Sequence, residues 1–260
     1  HEPSAPSCPH VAKLLRCAYA PPHDVSCFDT PPPAEFRVEF RLHSGGSFIA
    51  RVVSAWAPPF AQRFWQLVKL GWWSGVPIYR IDYINSSLRF VSQWGLSGYP
   101  AVDAAWTAEK MSNASAPALV SNIRGRLAFS MDAAVCNSSA GAEDPCAPLR
   151  PACSATDYCA EGFSTEIFVN YANNSRLDPH GFAPFGEVEG VGMQAADQLG
   201  EQLGRQYGEV VELCPEDEAN NTRPYCVYRD GARAGVNQSR LAEEGRSYIE
   251  ADFPGIHRMR

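Results

Sequence analysis

A mainly β fold, a closed antiparallel barrel carrying disulfide-rich extensions, is what this 260-residue sequence predicts. Three observations carry that expectation. Short apolar runs alternate with turn-forming residues along the middle of the chain, one early amphipathic helix interrupts them, and all nine cysteines fall outside the stretch from Phe28 to Val135. Residues 1–34 are rich in Pro and Cys, close on Pro31-Pro32-Pro33 and show neither strand nor helix periodicity. They read as an extension pinned by disulfides. From Phe36 the pattern sharpens: Phe36, Val38, Phe40 and Leu42 alternate with polar residues, Ser44-Gly45-Gly46 turns the chain, and Phe48 to Val53 returns as the second strand of a hairpin. Ala57-Pro58-Pro59 then opens a helix, because proline is tolerated in a first turn. Phe60, Phe64, Leu67 and Val68 share one face of it, and Gly71 stops it.

Further strands are expected at Ile78 to Ile81, Phe90 to Trp94, Leu127 to Ser130, Glu166 to Asn170 and Phe182 to Val188. The stretch from Met131 to Ser164 carries four cysteines and is too long for an ordinary connection, so it is a functional or a stapled insertion. A helical segment follows over Met193 to Leu203. Asn237 is placed to cap a last helix through Phe253, with Leu241, Tyr248 and Ile249 on one side.

Composition bounds the function. Apolar residues make up 45% and charged residues 20%, a balance that permits a sizeable core. Twenty-two basic against 29 acidic side chains leave a net charge of −7, with no run of Lys or Arg to track a phosphate backbone, so nucleic acid is excluded as a partner. Trp56 to Trp73, the most apolar stretch, is broken by prolines and charged residues, and no membrane span is expected. No C-x-x-C and no zinc-type Cys/His spacing occurs, and Glu216-Asp217-Glu218 lacks the spaced oxygens of a calcium loop, so no metal and no cofactor is expected. Neither G-x-S-x-G nor a P-loop is present, which argues against hydrolase and nucleotide-driven chemistry.

Six N-x-[ST] sequons, at Asn85, Asn113, Asn137, Asn173, Asn220 and Asn237, accompany the cysteines. Glycosylation and disulfides need the same oxidising lumen, so two separate signals place the chain in the secretory pathway. A chain beginning at His1 is expected to have lost a signal peptide, and its ending lacks a Lys-Asp-Glu-Leu type retention signal, so export or surface display is favoured over residence in the endoplasmic reticulum. Nine is an odd number, leaving at least one cysteine free, intermolecular or paired with something removed. A Cys214–Cys226 bridge is the economical pairing around the acidic loop.

The order of several motifs resembles the cyclophilin-type peptidyl-prolyl isomerases, as a divergent, secreted branch. The first half holds Trp56-Ala57-Pro58, Arg63-Phe64, Leu67-Val68-Lys69, Tyr79-Arg80-Ile81 and Phe90-Val91-Ser92-Gln93-Trp94-Gly95. The second holds Ser121-Asn122-Ile123-Arg124-Gly125, Leu127-Ala128-Phe129-Ser130, Thr165-Glu166-Ile167-Phe168-Val169-Asn170 and Leu177-Asp178-Pro179-His180-Gly181-Phe182-Ala183-Pro184-Phe185-Gly186. The resemblance covers roughly Phe36 to Glu209 and extends to a closing helix near the C-terminus. It implies an eight-stranded barrel capped by two helices. The chain then divides into an extension at 1–34, a barrel domain at 35–209 with a cysteine-rich insertion at 132–163, and a C-terminal extension at 210–260.

Rotation about a prolyl peptide bond crosses ~18–20 kcal/mol because the nitrogen lone pair is conjugated with the carbonyl. No covalent bond is made or broken, so a catalyst needs only an apolar slot for the ring and a fixed donor for the deconjugated amide. By resemblance, Arg80 is that donor, Gln93 orients it, and Phe90 and Phe168 wall the proline pocket. Val91 stands where Met is usual, Ser130 lets the peptide lie close, and Leu177 and Phe182 complete the apolar side. Glu166 and Met131 replace a glutamine and an asparagine that bind substrate backbone; a carboxylate cannot donate as an amide does. Arg176 stands at the tryptophan linked to cyclosporin affinity, so drug sensitivity should be weak. Taken singly, Phe90 and Phe168 are ordinary core residues and Arg80 an ordinary ion-pair former. It is their joint occurrence with Gln93 that points to an isomerase acting on proline-containing segments of secretory or extracellular proteins. The rival expectation is a weakly active or inactive barrel kept as a binding or structural module of an extracellular glycoprotein assembly.

Overall fold

The computed structural model describes residues 16–18, 24, 27–28, 30–43, 45–83, 89–111, 118–130, 132–134, 159–198, 236–256 and 258–259. The expected hairpin forms as β1 (Glu35–Arg41) and β2 (Ser47–Val53), with Phe36 opposite Val52 and Phe40 opposite Phe48. Alternation puts Phe36 and Phe40 inward and leaves Arg37, Glu39 and Arg41 in solvent. Helix α1 (Pro58–Leu70) starts on its prolines and buries Phe60, Phe64 and Leu67. Gly71 ends it at φ 65°, a left-handed conformation that costs glycine no Cβ clash, and returns its N–H to Val68 O.

The next strands are β3 (Ile78–Tyr83) and β4 (Arg89–Trp94), followed by α2 (Pro100–Thr107), β5 (Arg126–Phe129) and the short pair β6 (Asp132–Ala134) and β7 (Cys159–Glu161). Strand β8 (Ile167–Asn170), a 3-10 helix (Ser175–His180), β9 (Gly186–Val188) and α3 (residues 192–198) lead to α4 (Gln238–Glu244) and α5 (Arg246–Asp252). The strand expected over Phe182 to Val188 is shorter because Pro184 has no N–H to give a ladder. Helix α2 was not expected, although Pro100 in its first turn and the buried Val102 and Trp106 four residues apart are a helical signature. Asn237 caps α4 as expected, its Oδ1 accepting from Arg240 N at 3.0 Å, but the single last helix is two segments broken at Gly245.

Seven strands form one antiparallel sheet in the order β1-β2-β9-β5-β8-β4-β3, with β6-β7 as a separate pair. Among the described residues the ladders do not close the expected ring of eight strands, and β1 and β3 stand at the two ends of the strand order. Residues Arg258 and Met259 bond to the chain just after β1 and just before β3. His43 N donates to Arg258 O at 2.9 Å, Gly75 N to Met259 O at 2.9 Å, and Met259 N to Val76 O at 3.0 Å. The second contact stops short of β3, at Pro77, which offers no N–H.

The inner face of the sheet is aromatic. Phe40 packs on Phe48, Trp73 and Trp94, while α1 places Phe64 against Phe185 and Phe60 against Phe129 and Phe163. Trp72, Trp73 and Trp106 are buried packing groups. In the N-terminal extension Cys17 and Cys27 form a disulfide. Nearby, Ala18 O accepts from Trp106 Nε1 at 2.9 Å and Thr30 O from Trp65 Nε1 at 3.1 Å, so this part of the extension sits on α1 and α2. The Cys214–Cys226 pairing and most of the insertion at 132–163 lie outside the described residues. Among the described residues no helix is long and apolar enough to cross a membrane.

Candidate functional site

Register brings the expected residues together. Arg80 is opposite Gln93, Gln93 is opposite Phe168, and Phe168 is opposite Ala128. Directly opposed residues of adjacent strands share a face, so these four side chains run as one row across β3, β4, β8 and β5. Trp94, one step along β4, points the other way into the core against Phe40 and Phe48. The row is therefore on the outer face of the sheet.

Beside it lies a second apolar cluster, separate from the core: Val91, Ala128, Phe168 and Leu177 are buried, with Phe90 and Phe182 packed on them half-exposed. Phe182 meets Phe168 edge-on, ring centroids 5.9 Å apart. All five apolar residues expected at the groove are thus in one place, and Ala128 is an addition the sequence reading missed. Its signal was present in the alternation Leu127-Ala128-Phe129, which turns the small residue away from the core. Ser130, half-buried, follows β5 and donates its N–H to Glu166 O at 2.8 Å. Met131 lies outside the described residues.

The polar half of the row is a chain of hydrogen bonds. Arg80 Nη1 donates to Gln93 Oε1 at 3.0 Å, and Gln93 Nε2 donates to Glu166 Oε1 at 3.2 Å and lies 3.4 Å from the Tyr79 oxygen. The Tyr79 hydroxyl donates to the same Glu166 oxygen. Tyr79 can reach it because β3 carries a bulge: Ile78 pairs with Trp94 and Arg80 with Gln93, leaving Tyr79 as the extra residue, its side chain re-aimed beneath the row. Burial first, and then the Glu166 charge, hold the Tyr79 hydroxyl well above its ordinary pKa of 10.0, so it stays protonated. Glu166, expected to meet substrate backbone, has its carboxylate on Tyr79 and Gln93. Arg176 lies over the Phe90 ring at 4.4 Å, a cation–π contact.

Buried amides hold the apolar wall, and the sequence reading had not singled them out. Asn174 donates to Phe90 O at 3.0 Å and to Asn170 Oδ1 at 2.8 Å; Asn170 donates to Asn122 Oδ1 at 3.2 Å and Arg126 O at 3.0 Å. Asn122 donates to Asp178 at 2.8 Å and Phe182 O at 2.7 Å. The three asparagines are fully buried, and a polar residue ending the apolar run Ile167-Phe168-Val169 was the available signal. Two sequon asparagines are described, both exposed: Asn173 accepts from Ser175 N at 3.1 Å, and Asn237 is the α4 cap. Asn85, Asn113, Asn137 and Asn220 lie outside the described residues. No group of three metal-ligating side chains occurs among the described residues.

No protein-family model matches the chain, and no curated protein matches it. Among solved structures, a cyclophilin type peptidyl-prolyl cis-trans isomerase from Cryptosporidium parvum is similar at 13% identity and a TM-score of 0.41, over 63% of this chain and 83% of its own. The same isomerase in the presence of the dipeptide Ala-Pro gives the same identity and TM-score, over 84% of its own chain.

Proposed function

We propose that the chain is a peptidyl-prolyl cis-trans isomerase that acts on proline-containing segments of proteins in the secretory pathway or outside the cell. The observation that carries this reading is the row Arg80, Gln93, Phe168 and Ala128 beside an apolar cluster walled off from the core. The reaction asks for those two parts side by side. A pyrrolidine ring loses apolar area to Phe168, Phe182, Leu177 and Val91. As the amide twists, its nitrogen recovers a lone pair that a charged N–H can meet, and the Arg80 guanidinium supplies it. The bond from Arg80 to Gln93 holds the guanidinium in place before substrate arrives, so little reorganisation is needed at the transition state. The Cys17–Cys27 disulfide supports an oxidising compartment.

A second reading, a binding module for proline-containing segments in a glycoprotein assembly, is favoured by one contact: Arg176 covers one side of Phe90. Both readings meet in one experiment. NMR exchange in a short Ala-Pro-Phe peptide should accelerate with wild-type protein, and Arg80→Ala should lower that acceleration by about 10²–10³-fold, the usual loss for a preorganised donor. Because Arg80 is half-exposed, melting should barely change. Peptide binding without acceleration would sink the isomerase reading and leave the module.

A further inference from the structure

Gln93 has a side-chain amide that fits its space equally well in either orientation, yet only one orientation serves Arg80. The guanidinium has donors alone, so it must meet the amide oxygen. An amide nitrogen turned toward Arg80 would set donor against donor. Something on the far side of Gln93 must therefore demand the nitrogen, and that side holds Glu166 and Tyr79. A carboxylate accepts and never donates, and Tyr79, protonated, spends its hydrogen on Glu166 and leaves its oxygen as a further acceptor. Gln93 is 3% exposed, so water does not offer an alternative partner.

We propose that Glu166 and Tyr79 are a positioning pair that fixes the Gln93 amide with its oxygen toward Arg80, so that Glu166 acts through Gln93 and not on the peptide. The backbone is built to allow it. A Cβ on Gly95, at φ 145°, would lie 2.4 Å from Glu166 Cα and 2.4 Å from Thr165 O. Only glycine lets the end of β4 come close enough for the Glu166 carboxylate to reach a side chain on that strand. The bulge that places Tyr79 beneath the row supplies the other half of the pair.

The activity part of the test rests on the isomerase reading, but the positioning part does not. In wild-type protein the Gln93 side-chain NH2, identified by its absence in Gln93→Leu, should give two distinct, slowly exchanging proton signals. Glu166→Leu removes the acceptor at similar size and should speed that hydrogen exchange by about tenfold or more, while Glu166→Gln, whose amide oxygen still accepts, should stay within about threefold of wild type. In the peptide assay Glu166→Leu should lower kcat by about tenfold with KM changed less than about twofold, the pattern of an interaction felt in the transition state, and Glu166→Gln should restore most of the rate. Tyr79→Phe keeps the carboxylate and should loosen the NH2 by several-fold, which provides a second route if Glu166→Leu does not fold. Wild-type NH2 exchange in Glu166→Leu or Tyr79→Phe overturns the proposal. So does a Glu166→Gln variant as impaired as Glu166→Leu, which would mark the charge rather than the acceptor. If wild-type protein binds peptide without catalysis, the isomerase reading fails and the NH2 measurement still decides this one.

Discussion

Arg63 and Asp103 are both buried charges, carried by α1 and α2 and not by the strands of the Arg80–Gln93 row. Burial pulls the Arg63 pKa down to about 10, which still leaves it charged at neutral pH. Its guanidinium donates to Ser164 O at 3.0 Å and Glu109 O at 2.7 Å and stacks on Trp106, so it ties α1 to the chain beyond α2. Asp103 has the opposite balance. It accepts from Ser97 N at 2.8 Å and Gly98 N at 3.2 Å, bonds that favour the anion, but burial outweighs them and raises its pKa from 3.8 to about 6. The folded state then holds the proton more tightly than the unfolded chain. The stability this contributes is complete below pH 3.8 and lost as pH rises toward 6, at about 1.4 kcal/mol per pH unit inside that window. Urea midpoints of wild type and Asp103→Asn, compared from pH 4 to 7, should show the wild-type advantage shrinking with rising pH and levelling above about 6. A difference that grows with pH would mean the two N–H bonds outweigh burial.

Among the elements, the 3-10 helix Ser175–His180 matters most to the groove because it carries Leu177 into the apolar cluster and Arg176 over Phe90. Six residues of 3-10 helix have little stability of their own, so the position of this helix depends on the amides beneath it. Asn174 binds it to β4 through Phe90 O and to β8 through Asn170, and Asp178 binds it to residues 121–122. Asn174→Leu fits the volume but strands the buried Asn170 Oδ1, while Phe90 O keeps the Tyr171 N–H at 2.9 Å, at a cost of about 1–3 kcal/mol. Since the Arg80–Gln93 row is on other strands, KM should rise several-fold while kcat holds within about threefold, measured by urea unfolding and the peptide assay. An equal fall in kcat would show that the row moves with the wall.

How legible these elements were depends on whether their signal is local. Phe36, Phe40, Phe64 and Leu67 follow simple periods, and the hairpin and α1 could be read from them. Arg80, Gln93 and Phe168 could be placed together only through ordered motifs, because register between strands far apart in sequence is set by packing that no single strand encodes. The bulge at Tyr79 and the turn of Glu166 toward Gln93 left no local mark at all. The second depends on the close approach at Gly95, whose need for glycine is visible only once residues 165–166 lie against it.

At the scale of the whole molecule, the two ends of the strand order are linked through residues 258–259, which bond beside each of them. Arg258 and Met259 bond to the chain just after β1, at His43, and just before β3, at Gly75 and Val76, and an uncovered edge costs stability and invites pairing with other chains. Met259 is 2% exposed and belongs to the main core, so the tail contributes apolar area as well as three backbone bonds. Helices α4 and α5 deliver it there: Arg246 N donates to Gly98 O at 2.9 Å, and the Arg246 guanidinium stacks on Tyr99 at 4.5 Å, anchoring the pair next to α2. Deleting residues 257–260 keeps both helices and removes the strap. The loss of the Met259 side chain alone is worth about 2–3 kcal/mol, and the freed edge groups regain water. That variant should unfold at lower urea, and hydrogen exchange at the His43 and Gly75 amides, which donate to the tail, should approach the rate of exposed backbone while amides in the β4–β8 ladder stay protected. If His43 and Gly75 remain protected without the tail, the edges are closed by something other than Arg258 and Met259. If protection is lost across the whole sheet, the strap is part of the cooperative core and the seven strands do not stand without it.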